Sequence, residues 1–178
     1  MCLGWRDNDS LTTTITDKLS GVIREDHSDP QSGILHHEEN VDLLPANIEL
    51  SAMEMMLVTA MSRETILRSY LSKVKDNYDY VLIDCMPSLG MVTLNALAAA
   101  DSVIIPVQAQ YLPAKGMTQL MQTIGKVRQY INPSLRIDGI LLNIIPKPPR
   151  LKRIMPQGKN GIGQRIWRCY RVFPKHRF

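Results

Sequence analysis

Three apolar stretches separated by two helical stretches fill the second half of the sequence and constrain the fold more than any other feature. The apolar stretches at 78–83, 102–107 and 137–145 are continuous rather than alternating, which is typical of strands buried on both faces of a parallel sheet. The stretches between them, 89–100 and 114–131, repeat apolar residues at helical spacing. This order predicts an α/β fold with a mostly parallel sheet and flanking helices.

The first part of the chain is more polar. We interpret residues 1–40 as a surface element and loop with one weak helical stretch at 15–23, followed by a short strand at 41–45. Ser51 and Glu54 form an S-x-x-E pattern, which predicts a helix start whose free amides are satisfied by these two side chains.

Two helices are predicted after this start, each with one apolar face. The face of the first consists of Met53, Met56, Leu57 and Ala60, and that of the second, at 63–75, consists of Ile66, Leu67, Tyr70, Leu71 and Val74. We interpret six methionines as core filling rather than as a groove for a partner: Met53, Met55, Met56, Met61, Met117 and Met121.

Charge is divided unevenly along the chain. The sequence has 21 basic and 17 acidic residues, a net charge of +4. Residues 1–145 hold 11 of the basic and all 17 acidic residues, a net charge of −6, whereas residues 146–178 hold 10 basic residues and no acidic one. This basic tail has several prolines and no apolar period, so it is predicted to be solvated or unfolded.

The cysteines and the apolar runs indicate the compartment. Cys2, Cys85 and Cys169 are too few and too scattered for a disulfide framework or a zinc site, which indicates a reducing compartment. No run reaches the roughly 18 to 20 apolar residues of a membrane helix, and the first residues lack the pattern of a signal peptide. We therefore expect a cytoplasmic protein that is not bound to a membrane. The His and Glu residues at 36–39 are interpreted as a solvated loop rather than a metal site.

An acid directly follows the first of the three predicted strands. Val81-Leu82-Ile83 ends at Asp84, and Cys85-Met86-Pro87-Ser88-Leu89-Gly90 leads into the next helix. In open α/β sheets ligands gather at the carboxyl ends of strands, and in phosphate-transfer proteins such an Asp holds Mg²⁺. The pattern is short and also occurs by chance, so taken alone it leaves a purely structural reading open. Cys85 shows no activating base and is expected to be a small buried residue.

Seven short stretches follow one another in a fixed order between residues 41 and 142: DLLPAN at 42–47, YDYVLIDC at 78–85, PSLG at 87–90, TLNALAAAD at 93–101, IPVQA at 105–109, KG at 115–116 and IDGILL at 137–142. Through these stretches residues 41–142 resemble the ParA/Soj family of chromosome- and plasmid-partitioning ATPases, the deviant-Walker P-loop group that includes MinD. A match over this length in one order is far more specific than a short motif.

The resemblance implies an enzyme that hydrolyses ATP with Mg²⁺ to drive chromosome or plasmid partitioning, and that associates with the nucleoid. It also implies a homodimer, non-specific DNA binding and a ParB/Spo0J-like DNA-bound activator. By position, Asp84 is the catalytic Walker B acid that acts on Mg²⁺, directly or through a water. Pro87, Ser88 and Gly90 belong to the nucleotide-binding loop near the phosphate, where Met86 departs from the residue usual in the family.

The 178 residues contain no Gly-rich loop with the lysine and the Ser or Thr hydroxyl that hold phosphates and Mg²⁺ in P-loop proteins. In the family this loop lies just upstream of the stretch that matches Cys2. We therefore expect residues 1–142 to form a partial, N-terminally truncated P-loop NTPase-like domain that lacks the P-loop strand and helix. The strand before Asp84 is then left as an unpaired apolar edge, and the chain alone binds no MgATP and is catalytically inactive.

The resemblance ends after Leu142. Codons for 143–150 read in another frame are able to encode a continuation like that of the family, so we interpret 143–178 as a basic tail that is out-of-frame or disordered. Its aromatic residues among arginines leave nucleic-acid binding open as an alternative. Two further alternatives to an ATPase fragment stay open: a non-catalytic interaction module that pairs with an intact ParA-like protein, and a pseudogene product.

Overall fold

The structure is a computed structural model that describes residues 13–26, 28–37, 40–86, 88–108 and 113–143. These residues form, in chain order, α1 (Ile15–Ile23), β1 (Leu35–His37), β2 (Val41–Leu43), α2 (Leu50–Thr59), α3 (Ile66–Leu71), a 3₁₀ turn (Lys75–Asn77), α4 (Met91–Ala99), β3 (Ser102–Gln108), α5 (Pro113–Tyr130) and β4 (Arg136–Asn143). Pro87 and residues 144–178 lie outside the described residues, so the predictions made for the basic tail remain predictions.

The α/β prediction is confirmed by a βαβ unit in the second half of the chain. β3 and β4 run parallel, from the pair Ser102 and Arg136 to the pair Gln108 and Asn143, and α5 is the connection between them. A crossover of this kind is what a parallel pair of strands requires. The core under the unit consists of Leu97, Ile105, Ile124, Val127 and Leu135. The predicted strands at 102–107 and 137–145 and the helix at 114–131 are therefore present, with small shifts at their ends.

The helices of the first half form a separate core, called the first core because it lies earlier in the chain. It consists of Leu19, Met53, Leu57, Ile66, Leu67, Tyr70, Val74 and Ala96, which come from α1, α2, α3, the turn after α3, and α4. The predicted apolar face of the 63–75 helix is confirmed, although the helix ends at Leu71 and a 3₁₀ turn follows. Leu19 shows that α1, expected as a surface element, also contributes to the core.

The structure adds a small hairpin that the sequence did not predict. β1 pairs antiparallel with β2, with Leu35 opposite Leu43, although residues 1–40 were expected to contain no strand. His36 Nδ1 lies 2.7 Å from Asp42 Oδ1 across the pair. The pairing gives His36 a local partner on the neighbouring strand.

Two predictions about α2 are wrong. The helix begins at Leu50 with Glu49 as its N-cap residue, so Ser51 lies inside the first turn and caps nothing. Of the methionines interpreted as core filling, Met53 is fully buried, but Met55 is 78% exposed and Met61 is 93% exposed. The predicted face itself is largely confirmed, since Met53 and Leu57 are fully buried and Ala60 packs against the core, whereas Met56 is 39% exposed.

The predicted strand at 78–83 is also wrong, since no strand is formed there. Among the described residues, none pairs with this segment, and a strand requires a hydrogen-bonded neighbour. Tyr80 and Leu82 are 78% and 79% exposed instead of buried on both faces, and only Ile83 packs against the first core.

Candidate functional site

Asp84 is an exposed acid between the 78–83 segment and α4. Its side chain and those of its neighbours Cys85 and Met86 are exposed, while Ile83 just before them is partly buried against the first core. The loop then turns through a hydrogen bond from the Ser88 N–H to the Met86 carbonyl oxygen, 2.7 Å long. Asp84 and Ser88 are thus both solvent-accessible on one short loop that ends at the start of α4.

The start of α4 is occupied by a carboxylate from α2. Glu54 Oε1 accepts a hydrogen bond of 2.7 Å from the Met91 N–H. A negative group at a helix N-terminus satisfies a free amide and interacts favourably with the helix dipole, which contributes about 0.3–1 kcal/mol. Glu54, predicted to cap its own helix, therefore caps a different one.

Position 90 needs a glycine because there is no room for a side chain, and its backbone conformation does not require one. Its φ of −78° is open to any residue, but a Cβ built on Gly90 would overlap the Glu54 carboxylate. Because Gly90 has no side chain, the Glu54 carboxylate can reach the Met91 N–H. The described structure accordingly places Ser88 and Gly90 together after Asp84, while Pro87 lies outside the described residues.

Two buried asparagines hold α4 in place behind this loop. Asn95 Nδ2 donates to the carbonyl oxygens of Arg63 and Met91, at 2.6 and 3.0 Å, and its Oδ1 accepts from the Leu67 N–H at 3.1 Å. Because every polar atom of the Asn95 amide has a partner, it joins α4 to α3 without leaving a buried group unsatisfied.

Asn132 has the corresponding role at the other end of α4. Its Nδ2 lies 3.1, 3.2 and 2.8 Å from the carbonyl oxygens of Leu97, Ala98 and Ala100, and Arg68 also donates to Ala98. Sequence reasoning missed both asparagines, although a polar amide inside the apolar helix 89–100 was a signal that could have identified Asn95.

Cys85 differs from its prediction. The thiol belongs to an exposed residue rather than a buried one. Partial burial of the sulfur raises the pKa of the Cys85 thiol, and the adjacent charge of Asp84 raises it further. Since the thiolate is the nucleophilic form, the surroundings of Cys85 disfavour a role as a nucleophile.

The described residues fit Mg²⁺ only in part. Mg²⁺ retains several waters and is commonly bound by one or two carboxylates together with substrate phosphates, and the exposed Asp84 meets the carboxylate requirement. Among the residues that the structure describes, no group of three or more His, Cys, Asp or Glu side chains is arranged to hold a metal. Asp84 therefore fits a metal that is already attached to a nucleotide, and does not form a metal site by itself.

The phosphate side of such a site does not fit the same residues. The amide of Met91 at the start of α4 already donates to Glu54, and the 178 residues contain no Gly-rich lysine loop. Two clefts in the described part lie around α1 and the loop after it, and both are lined by Lys18, Gly21, Asp26 and Ser28. Neither is lined by Asp84 or Ser88.

Comparison with known proteins assigns this chain to a family. A model of the AAA domain family matches residues 2–137. The sporulation initiation inhibitor protein Soj of Bacillus subtilis (strain 168) is 49% identical over 107 residues, which are 60% of this chain and 42% of Soj. The chromosome partitioning protein ParA of Myxococcus xanthus (strain DK1622) is 44% identical over 132 residues, 72% of this chain and 47% of ParA.

A solved structure shares the fold. Cobyrinic acid a,c-diamide synthase from Mycobacterium smegmatis, with bound ADP and magnesium, has a TM-score of 0.72 and 39% identity over 79% of this chain and 55% of its own. The chain therefore belongs to the AAA domain family, and its relatives place it with the ParA/Soj-type partitioning ATPases, as the sequence predicted. It spans about half the length of the curated relatives it matches.

A cofactor is seen in a relative, and the described helices include no candidate membrane span. ADP and magnesium are bound by a homologous protein of the same fold, and no helix in the described residues is both long and apolar enough to cross a bilayer.

Proposed function

We propose that this chain is the acid-bearing part of the nucleotide domain of a ParA/Soj-type partitioning ATPase, with Asp84 as the residue that acts on Mg²⁺. The observation that carries the proposal is the position of Asp84, an exposed carboxylate after the apolar 78–83 segment and before α4, within the residues that match the family. Bound MgATP would supply the phosphates, and Asp84 would hold the metal directly or through a water. Pro87, Ser88 and Gly90 would belong to the loop that lies near the phosphate.

The proposed cellular role is that of the family. ATP-dependent chromosome or plasmid partitioning would use a nucleotide-bound homodimer, non-specific DNA and a ParB/Spo0J-like activator, in the cytoplasm at the nucleoid. The identities of 49% and 44% to Soj and ParA support this role.

A polypeptide of these 178 residues is expected to hydrolyse no ATP. One carboxylate cannot neutralise the phosphate charge that loop amides and a lysine neutralise in P-loop proteins. The measurement is phosphate release from MgATP by the purified chain, with Asp84→Ala as the matched control. Turnover that disappears in Asp84→Ala would overturn the prediction of inactivity while supporting the role of Asp84.

The role of Asp84 is tested where a phosphate loop is present. In a chimera, the stretch of Bacillus subtilis Soj that matches this chain is replaced by the corresponding residues of this chain. We expect ATP hydrolysis by the chimera and a loss of roughly tenfold or more in Asp84→Ala, with a smaller loss in Cys85→Ala. An Asp84→Ala chimera as active as its parent would remove the metal role from Asp84.

A further inference from the structure

We propose that Glu54 is a positioning residue for Asp84, because it fixes the far end of the loop that carries this acid. The loop consists of residues 84–90 and is called the acid loop below. The proposal rests on the proposed function of Asp84 and adds the side chain on which the placement of that acid depends. Three observations support it: the two ends of the acid loop, the cap of α4 and the space at Gly90.

The acid loop is held at its two ends. At one end, Ile83 packs against the first core, to which α2 contributes. At the other end, the Met91 N–H donates to Glu54 Oε1 of α2 at 2.7 Å. Within the loop, the described residues make one backbone–backbone hydrogen bond, from the Ser88 N–H to the Met86 carbonyl oxygen. Both anchors therefore tie the loop to α2 and its core, and the acid lies between them.

The N-cap residue of α4 cannot cap the helix. This residue is Gly90, which has no side chain to accept from the free amides of the first turn. Glu54 supplies an acceptor from α2, and among the described residues its carboxylate has no Lys or Arg partner. The negative charge is instead balanced by the Met91 N–H and by the dipole of α4. The orientation of the Glu54 side chain therefore depends on the start of α4, and the start of α4 depends on Glu54.

The space at Gly90 is matched to the same contact. The nearest atoms to a Cβ built at Gly90 belong to the Glu54 carboxylate, which it would overlap. Because this carboxylate is the far end of a flexible side chain, a methyl group at position 90 would displace it from the Met91 N–H. Gly90 and Glu54 are therefore expected to act as one unit, in which a change at either residue releases the start of α4.

The position of Asp84 depends on the backbone of the acid loop. Asp84 is exposed, and among the described residues its side chain makes no hydrogen bond or ion pair. Removing a group that orients a metal ligand typically lowers metal affinity or activity by about 10- to 100-fold, and a small displacement of a reacting group has a large effect on rate. Glu54 thus acts on the metal through the loop that carries Asp84 and does not itself touch the metal.

The first test is hydrogen exchange at the Met91 amide in the full 178-residue chain, which requires no nucleotide. As the first amide of α4, it has no acceptor within the helix, so Glu54→Ala is expected to raise its exchange rate by about tenfold. Gly90→Ala should have the same effect, and the double variant should show no further increase. The controls are Glu49→Ala, at an exposed glutamate of the same helix start, and Gly116→Ala, where a Cβ meets nothing within 4 Å. Both should leave the rate unchanged.

The second test is the Mg²⁺ concentration that gives half-maximal ATP hydrolysis by the Soj chimera. Glu54→Ala is expected to raise this concentration by about tenfold. Glu54→Asp keeps the charge but withdraws the carboxylate by one carbon atom, so it should raise the concentration similarly, and it carries the test where Glu54→Ala does not fold. Glu54→Gln keeps an acceptor oxygen and is expected to stay within about threefold of the parent, while Glu49→Ala leaves the value unchanged. A role limited to stability would reduce the amount of active protein without changing its Mg²⁺ requirement.

Two results would overturn the proposal while the proposed function stands. One is an exchange rate at Met91 that neither Glu54→Ala nor Gly90→Ala changes. The other is an unchanged Mg²⁺ requirement of the Glu54 variants in a chimera that Asp84→Ala inactivates. An Asp84→Ala chimera as active as its parent would overturn the proposed function and the positioning role together, so the two kinds of failure are distinguishable.

Discussion

Residues 91–143 and residues 78–90 are adjacent in the sequence and similarly apolar, yet only the first region forms paired strands and a core of its own. In 91–143, α4 lies on both cores, and Asn132 binds three carbonyl oxygens at its end. In 78–90, Tyr80 and Leu82 remain about four-fifths exposed. Residues 78–90 and 91–137 both belong to the part of the chain that matches the family, so the difference lies in the neighbours that each region has.

The comparison shows that apolar content alone does not bury a segment. Ile105 of β3 is buried because β4 pairs with the strand and α5 covers this face, whereas Ile104 on the other face is 50% exposed and the prediction of burial on both faces is wrong there. The 78–83 segment has no pairing strand among the described residues, and Tyr80 and Leu82 stay exposed while Ile83 packs against the first core. The acid that this segment carries is consequently displayed on a loop rather than at the end of a strand inside a sheet.

The largest expected effect comes from comparing the same substitution, Leu to Ala, in the first core and in the 78–90 region. Leu57→Ala, at a fully buried position of the first core, is expected to lower the free energy of unfolding by about 2–5 kcal/mol. Leu82→Ala, at 79% exposure, should change it by no more than about 0.5 kcal/mol. Urea unfolding followed by circular dichroism measures both. A Leu82→Ala loss as large as that of Leu57→Ala would show that residues 78–90 are packed after all.

The next largest effect is expected at Asn132, whose side chain binds the carbonyl oxygens at the end of α4. Asn132→Ala leaves three carbonyl oxygens without their donor and is expected to cost about 1–3 kcal/mol. Asn77→Ala is the control, since this asparagine is exposed in the 3₁₀ turn. Faster hydrogen exchange at the Ala100 amide, which donates to Ala96, should accompany the loss. Equal stability of the two variants would contradict a structural role for Asn132.

The sequence predicted the elements that depend on local patterns. The periodicity at 114–131 corresponds to α5, and the apolar runs at 102–107 and 137–145 correspond to β3 and β4. For these strands the partner and the crossover helix are both encoded in the same stretch, so local reasoning was sufficient.

The elements that failed depend on distant residues. A strand at 78–83 needs a neighbour that its own sequence does not specify, and β1 becomes a strand only through β2. Glu54 matched a local capping pattern, but it binds the Met91 amide 37 residues away. The acid of the candidate site was therefore predictable from Asp84 and its flanking residues, whereas the contact that occupies the start of α4 was not.

The smallest expected effect is a pH dependence of stability at Tyr78, the first residue of the 78–90 region. The Tyr78 hydroxyl donates to Asp42 Oδ2 at 2.8 Å. Burial, the hydrogen bond to Asp42 and the charge of Asp42 together raise the pKa of Tyr78 from 10.0 to about 12, with burial the largest cause. The unfolded chain therefore loses this proton at lower pH than the folded chain.

The sign of the effect follows from proton linkage. Below the unfolded pKa of 10.0 the contribution of Tyr78 is fully present, and it is lost as the pH rises from there towards 12, because the folded state then binds more protons than the unfolded state. Tyr78→Phe is expected to cost about 0.5–1.5 kcal/mol at neutral pH and to lose less stability than the wild type between these two pH values. Tyr130→Phe, at a tyrosine with 74% exposure, serves as the control and should follow the wild type. Urea midpoints measured across this range decide the question, and a Tyr78→Phe curve parallel to that of the wild type would show that residues 78–90 begin without this anchor.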